Sequence, residues 1–150
     1  MASLVEILTN AETRPRVVRA CNELIAAEVA AKGGLAGIAV KGAYRLVQAI
    51  KPAMVSEVVD KLLPEFAAAL EPFFAASAAA AGDQPRSRAF AELLVAQRGP
   101  VSEALLSVTD SRAAKASGPL QKTYAKLRGS AQEHVDAAVP GLARTISPFV

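Results

Sequence analysis

Tryptophan is absent from this chain, and the other aromatic residues are few, with five phenylalanines and two tyrosines. A core with so few rings must be built from small and aliphatic side chains, which favours closely packed helices. Alanine, the residue with the highest helix propensity, is abundant. No segment alternates β-branched and polar residues as a strand does. The sequence therefore predicts an all-α protein.

Cysteine and histidine are scarce, since each occurs once, as Cys21 and His134. A lone cysteine cannot form an internal disulfide, which favours a reducing cytoplasm, and a zinc or iron site needs more such ligands. A nucleophilic Cys or His also needs a base and an orienting partner. We therefore expect no cofactor, no metal site and a non-enzymatic role. Cys21 is predicted to be a small buried hydrophobe, and His134 a half-buried residue bonded to backbone or water, with a general base or pH switch left open.

Long apolar runs are also missing, because none approaches the roughly 20 residues of a membrane span without a charge or proline. The first apolar stretch contains Glu6 and has no basic residue before it, unlike a secretory signal. We expect a cytoplasmic protein with no membrane span. The length of 150 residues suits one domain, 1–150, and the polar segment GDQPRS predicts a loop near 82–87.

Apolar spacing predicts six or seven helices in one bundle. The segment 35–50 is apolar on most of its circumference, which predicts a central helix covered by neighbours on several sides. Leu35 is one of its apolar residues, and Gly37 and Gly42 are expected to permit the close approach of another backbone.

Prolines interrupt two of the helical patterns. Each proline lacks a backbone N–H and crowds the preceding turn, so each predicts a kink or a break. We expect the helix that Pro52 opens to kink or restart at Pro64 and Pro72, and the last long helix to end at Pro140.

Four stretches spread over most of the chain carry a resemblance to known sequences: VKGAYRLVQAIKP, LLPEFAAALEPFF, SVTDSRAA and KTYAKLRGSAQEHV. Together they resemble an uncharacterised family of small bacterial helical proteins, defined as a domain of unknown function. The resemblance implies a bacterial, cytoplasmic, single-domain protein. It implies no activity, ligand or catalytic residue.

Two functions without catalysis are predicted from these patterns. The first is a helical binding or interaction module, as a homo-oligomer or with a protein partner, which the absence of a catalytic constellation favours. The second is a carrier of an apolar, lipid-like small molecule in a pocket between helices rich in alanine and glycine. Four phenylalanines beside proline-containing helices are the candidate lining of that pocket: Phe66, Phe73, Phe74 and Phe90.

A third function, weak anion binding, follows from the charge distribution. The net charge is +3, and residues 83–150 carry nine bases and six acids. No acid lies between Ser111 and Gln132, and five bases there could bind phosphate, nucleic acid or acidic lipid headgroups: Arg112, Lys115, Lys122, Lys126 and Arg128. A few phosphate contacts give weak, salt-sensitive affinity, so nucleic acid is disfavoured. A solvated surface explains the same residues, and an enzyme using Tyr, Lys and Arg groups stays open.

Overall fold

The computed structural model describes residues 2–150, except the side chains of Leu35 and Ala36. Within these residues the chain forms seven α-helices, a final 3-10 turn and no β-strand, so the predicted all-α single domain is confirmed. The elements are α1 (Leu4–Thr9), α2 (Arg14–Ala31), α3 (Gly34–Ile50), α4 (Met54–Ala80), α5 (Arg86–Ala96), α6 (Arg98–Ala113), α7 (Gly118–Ile146) and the 3-10 turn Ser147–Phe149. The break between α4 and α5 spans residues 81–85.

The hydrophobic core lies around α4, which packs against α1, α2, α5 and α6. Phe74 of α4 and Phe90 of α5 are fully buried, and their rings meet edge to face with centroids 5.1 Å apart. Aliphatic side chains from the other helices complete this core: Leu4, Leu8, Val17, Leu63, Leu70, Leu94, Val101, Val139 and Ile146. The scarcity of rings in the sequence thus appears as a core that is mostly aliphatic.

Burial is distributed unevenly along the chain. Between residues 19 and 61, Gly37 is the only described residue that is fully buried, and between 107 and 138 no described residue is. The core is therefore formed by α1, the start of α2, the middle of α4, α5, the first half of α6 and the end of α7. The rest of α2, α3 and the first half of α7 pack less deeply.

The segment predicted as the central helix forms α3, but α3 lies at the periphery. It contacts α2, α4 and α7, yet Ile38, Leu46 and Ile50 are 70%, 43% and 49% exposed. The prediction of a central helix is wrong, because the much longer α4 and α7 supply the apolar faces around which the bundle forms. The predicted inward position of Leu35 lies outside the described side chains.

The prolines do not end the helices that contain them. Pro64 and Pro72 lie inside α4, which does not restart at either of them, so of the two predicted alternatives only a kink stays a prediction. Pro140 lies inside α7, so the predicted end of that helix is wrong. Pro64 has no N–H for the carbonyl of Asp60, and that carbonyl accepts instead from Arg14 Nη2 of α2 at 2.6 Å. A neighbouring helix thus satisfies the group that the proline leaves unpaired.

The two glycines inside α3 have different surroundings. A Cβ at Gly37 would lie 2.8 Å from the carbonyl carbon and oxygen of Lys32, whereas a Cβ at Gly42 would meet nothing within 4 Å. The close approach expected at Gly42 is therefore wrong. At Gly37 the nearby backbone is that of Lys32, which lies two positions before the start of α3 in the chain.

Replacing each of these glycines by alanine is expected to have opposite effects. Gly42→Ala should stabilise the protein by up to about 1 kcal/mol, which is the difference in helix propensity. Gly37→Ala should lose at least that gain, because the backbone of Lys32 must move to admit the methyl group. Urea unfolding of both variants measures the contrast, and equal free energies of unfolding would contradict it.

Candidate apolar binding site

An apolar cavity opens between α2, α4, α6 and α7, with one residue of α1 at its edge. Its volume is about 210 Å³. Every lining side chain is hydrophobic or the thiol of cysteine: Leu8, Cys21, Leu24, Ile25, Val59, Leu63, Phe66, Ala67, Leu70, Leu105, Val135, Ala138, Val139, Leu142 and Ile146. The cavity therefore offers apolar contact and almost no hydrogen bonding.

Helical periodicity explains how the chain builds this lining. On each of the three main helices the lining residues recur three or four positions apart, so each helix contributes one face. Ala67 of α4 and Ala138 of α7 are short side chains among larger ones. Protein interiors are normally close-packed, and a short side chain at such a position leaves space that a larger one would fill.

One of the four predicted phenylalanines, Phe66, lines the cavity. Phe73 packs half-buried against the core, and Phe74 and Phe90 pack on each other within it. The Arg86 guanidinium lies 3.7 Å from the centroid of the Phe74 ring, and its Nη2 donates to the Phe74 carbonyl at 2.9 Å. The structure therefore places Phe73, Phe74 and Phe90 in packing contacts outside the cavity, and ligand contact stays a prediction for Phe66.

The thiol of Cys21 belongs to the cavity lining. Burial raises its pKa from 9.0 to about 11, because an apolar environment disfavours the thiolate. The unfolded chain ionises first, so the thiol's contribution to stability is present below about pH 9 and is lost as the pH rises towards 11. Near neutral pH this thiol is protonated and reacts slowly.

The half-buried His134 lies on α7 directly before the lining residue Val135. Its Nε2 atom is buried and has no hydrogen-bond partner among the described residues, so the predicted backbone partner is not found there. Ala138, one turn further along α7, also lines the cavity.

The arginines of the predicted anion site are engaged by carboxylates. Arg112 binds Glu65 of α4 through Nε and Nη2, both at 2.8 Å, and this pairing holds the pKa of Glu65 below its usual range. Arg128 binds Asp110 at 2.8 and 3.2 Å, and Tyr124 donates to the same carboxylate. An anion would have to displace these carboxylates.

The three lysines of that predicted site remain at the surface: Lys115, Lys122 and Lys126 are exposed. The sequence segment contains no acid, but Asp110 lies just before it and Glu65 comes from another helix. The structure therefore does not bring the five predicted bases together as one free set. Anion binding stays a prediction for the lysines.

The described residues contain neither a candidate metal site nor a candidate membrane-spanning helix. No group of three or more His, Cys, Asp or Glu side chains able to hold a metal ion is found among them. Nor does any helix in this part of the chain combine the length and hydrophobicity that crossing a bilayer requires.

Comparison with known proteins assigns a family. A family model described as a family of unknown function, DUF6918, matches residues 4–150. No curated protein and no solved structure matches the chain. The comparisons therefore add no ligand or activity to the geometry described above.

Proposed function

Since this chain belongs to that family of unknown function, we propose its role from its structure: it binds an apolar, lipid-like ligand in the cavity between α2, α4, α6 and α7. The observation that carries the proposal is a wholly apolar lining around about 210 Å³. An apolar cavity of about 150 Å³ already suffices to bind benzene. The cavity is therefore large enough to be a binding site.

The lining restricts the chemical class of the ligand. A polar or charged group inside this cavity would lose its hydration, because the lining offers no hydrogen bond beyond the weak one of the Cys21 thiol. A hydrocarbon segment or an aromatic ring has no hydrogen bonds with water to lose when it enters the cavity. The ligand therefore places an apolar part inside the cavity and keeps any polar end outside it.

This role is non-catalytic and agrees with the second of the functions predicted from the sequence. The first, an interaction module with a protein partner or a second copy, stays a prediction. The bacterial and cytoplasmic settings stay predictions as well.

The test is saturable binding of an apolar fluorescent dye, N-phenyl-1-naphthylamine, and its displacement by medium-chain fatty acids. Ala138→Phe fills the cavity, whereas Ala137→Phe makes the same change on an exposed position of the same helix. We expect the wild type and Ala137→Phe to bind alike and to melt at a higher temperature with dye, because the ligand binds the native state. Circular dichroism should show that Ala138→Phe is folded, and its affinity for the dye should fall at least tenfold. Absence of saturable binding, or equal binding by both variants, would overturn the proposal.

Cys21 reports occupancy of the same cavity. A bound ligand covers the thiol, so the rate of maleimide labelling at pH 8 should fall as dye or fatty acid saturates the protein. The chain has no other cysteine, so the rate needs no correction for a second site. Dye that binds without slowing the labelling would be bound elsewhere.

A further inference from the structure

The outward side of α3 presents an apolar surface. In the described residues, four of the five exposed large hydrophobic side chains lie between residues 38 and 58: Ile38, Leu46, Ile50 and Val58, with Val95 on α5 as the fifth. Ile38, the exposed Gly42, Leu46 and Ile50 follow one another at spacings of four along one side of the helix. Single exposed apolar residues are ordinary, but a contiguous group indicates an interaction surface.

The charges on α3 itself are all positive. Residues 29–56 carry no acid and four bases: Lys32, Lys41, Arg45 and Lys51. Lys51 pairs with Glu57 at 2.9 Å. Arg45 is exposed and Lys41 half-buried, and neither forms an ion pair within the described part of the chain. A partner for α3 must therefore be both apolar and negatively charged.

We propose that the outward face of α3 docks on the surface of an anionic lipid bilayer. A helix with bases beside an exposed apolar side lies in the plane of the interface, its apolar groups at the acyl boundary and its bases among the headgroups. The exposed apolar side consists of Ile38, Leu46 and Ile50. The bases beside it are Lys41 and Arg45. The docking face is separate from the cavity, since none of the described side chains of α3 lines it, so the proposal does not depend on ligand binding there.

A second copy of the chain fits this face less well. With 17 residues, α3 is about 25 Å long. If the face is roughly 10 Å wide, pairing two copies through it buries about 500 Å² in total, well below the roughly 1,200 Å² of stable interfaces. The pairing would also bring Lys41 and Arg45 of both copies together without an acid from residues 29–56. A bilayer surface has neither disadvantage.

Vesicle sedimentation tests the proposal with vesicles of phosphatidylglycerol and phosphatidylcholine at 30:70 and with pure phosphatidylcholine. We expect the wild type to bind the anionic vesicles and not the neutral ones. Lys41→Gln with Arg45→Gln should weaken binding by about 25-fold, at roughly fivefold for each base. Arg19→Gln with Arg98→Gln removes the same charge from exposed arginines of α2 and α6 and should leave binding unchanged. No binding by the wild type, or equal losses in the two double variants, would overturn the proposal.

Tryptophan fluorescence tests which face enters the bilayer, because the natural chain has no tryptophan. Leu46→Trp places one on α3, and Val95→Trp places one at a similarly exposed apolar position on α5. Anionic vesicles should shift the emission of Leu46→Trp to shorter wavelength and leave that of Val95→Trp unchanged. Equal shifts would contradict docking through α3. An α3 that binds an acidic protein instead of lipid would leave both emissions unshifted, which also overturns the proposal.

Discussion

Phe90→Ala is expected to lower the free energy of unfolding by about 3–5 kcal/mol, the range for removing a fully buried phenylalanine side chain. Phe90 is 0% exposed, and its ring meets that of Phe74 edge to face at 5.1 Å. The substitution therefore leaves a void in the core and removes an aromatic pair, which contributes about 0.5–1.5 kcal/mol beyond area burial. In a domain of this size 1 kcal/mol corresponds to roughly 2–4 °C, so the melting temperature should fall by about 6–20 °C.

Phe66→Ala is the matched control, since it makes the same change in a ring that is half-buried and lines the cavity. Its loss of stability should be less than half as large, because the ring already borders unfilled space, but its affinity for the apolar dye should fall. Thermal melting followed by circular dichroism compares the two variants. Equal losses would remove the distinction between core and cavity phenylalanines.

Gly141→Leu is expected to destabilise the protein by about 1–3 kcal/mol through overpacking, and to weaken binding in the cavity. Gly141 is buried on α7, and a Cβ there would lie 2.8 Å from Glu28 Oε1 and from Leu24 Cδ1, both of α2. A leucine side chain must push α2 away from α7. Because Leu24 also lines the cavity, that displacement changes the shape of the binding site.

Two further glycine variants separate size from backbone effects. Gly129→Leu lies on the same helix in open space, so it should be neutral or stabilising by up to about 1 kcal/mol. Gly141→Ala should be close to neutral, because the ends of the Leu24 and Glu28 side chains can rotate away from a methyl group. Urea unfolding measures all three. A Gly141→Leu protein as stable as Gly129→Leu would mean that α2 and α7 are not in close contact at this point.

Features set by neighbours in sequence were predictable from the sequence. Ser3 and Glu6 have the spacing of a capping box at the start of α1, and both of its hydrogen bonds are present, at 3.0 and 3.1 Å. Gly33 and Gly34 come two and three positions after Ala31, the last residue of α2. Such features need no information about the rest of the fold.

Features set by distant contacts were not predictable. A prediction from Pro140 alone considers only the backbone hydrogen bond that the proline removes. In the structure the buried residues Val139 and Ala143 hold the last turns of α7 against the core. The partner of Arg112 is Glu65, 47 positions away. The apolar pattern of α3 indicates which of its sides are hydrophobic and not which of them a longer helix will cover.

The cavity shows the same limit. The apolar faces that contain Cys21, Phe66 and Val135 can be predicted from periodicity, since the apolar residues of each face recur three or four positions apart. Whether those faces meet around empty space depends on the side-chain volumes that come together after folding, above all at Ala67 and Ala138. The size of Phe74 and Phe90 favours them as residues lining a pocket, but in the structure these large side chains fill the core.

Uneven burial predicts that the bundle opens in stages. Gly37 is the single fully buried residue described between 19 and 61, and none is described between 107 and 138. These parts are therefore expected to separate at a lower free energy than global unfolding. The cavity lies on the border, with Val59 and Val135 on the weaker side and Leu70 and Ile146 in the core. The ligand proposed above would enter through such a partly open molecule, whose core stays folded. Its association rate is then governed by the frequency of this local opening and not by the rate of global unfolding.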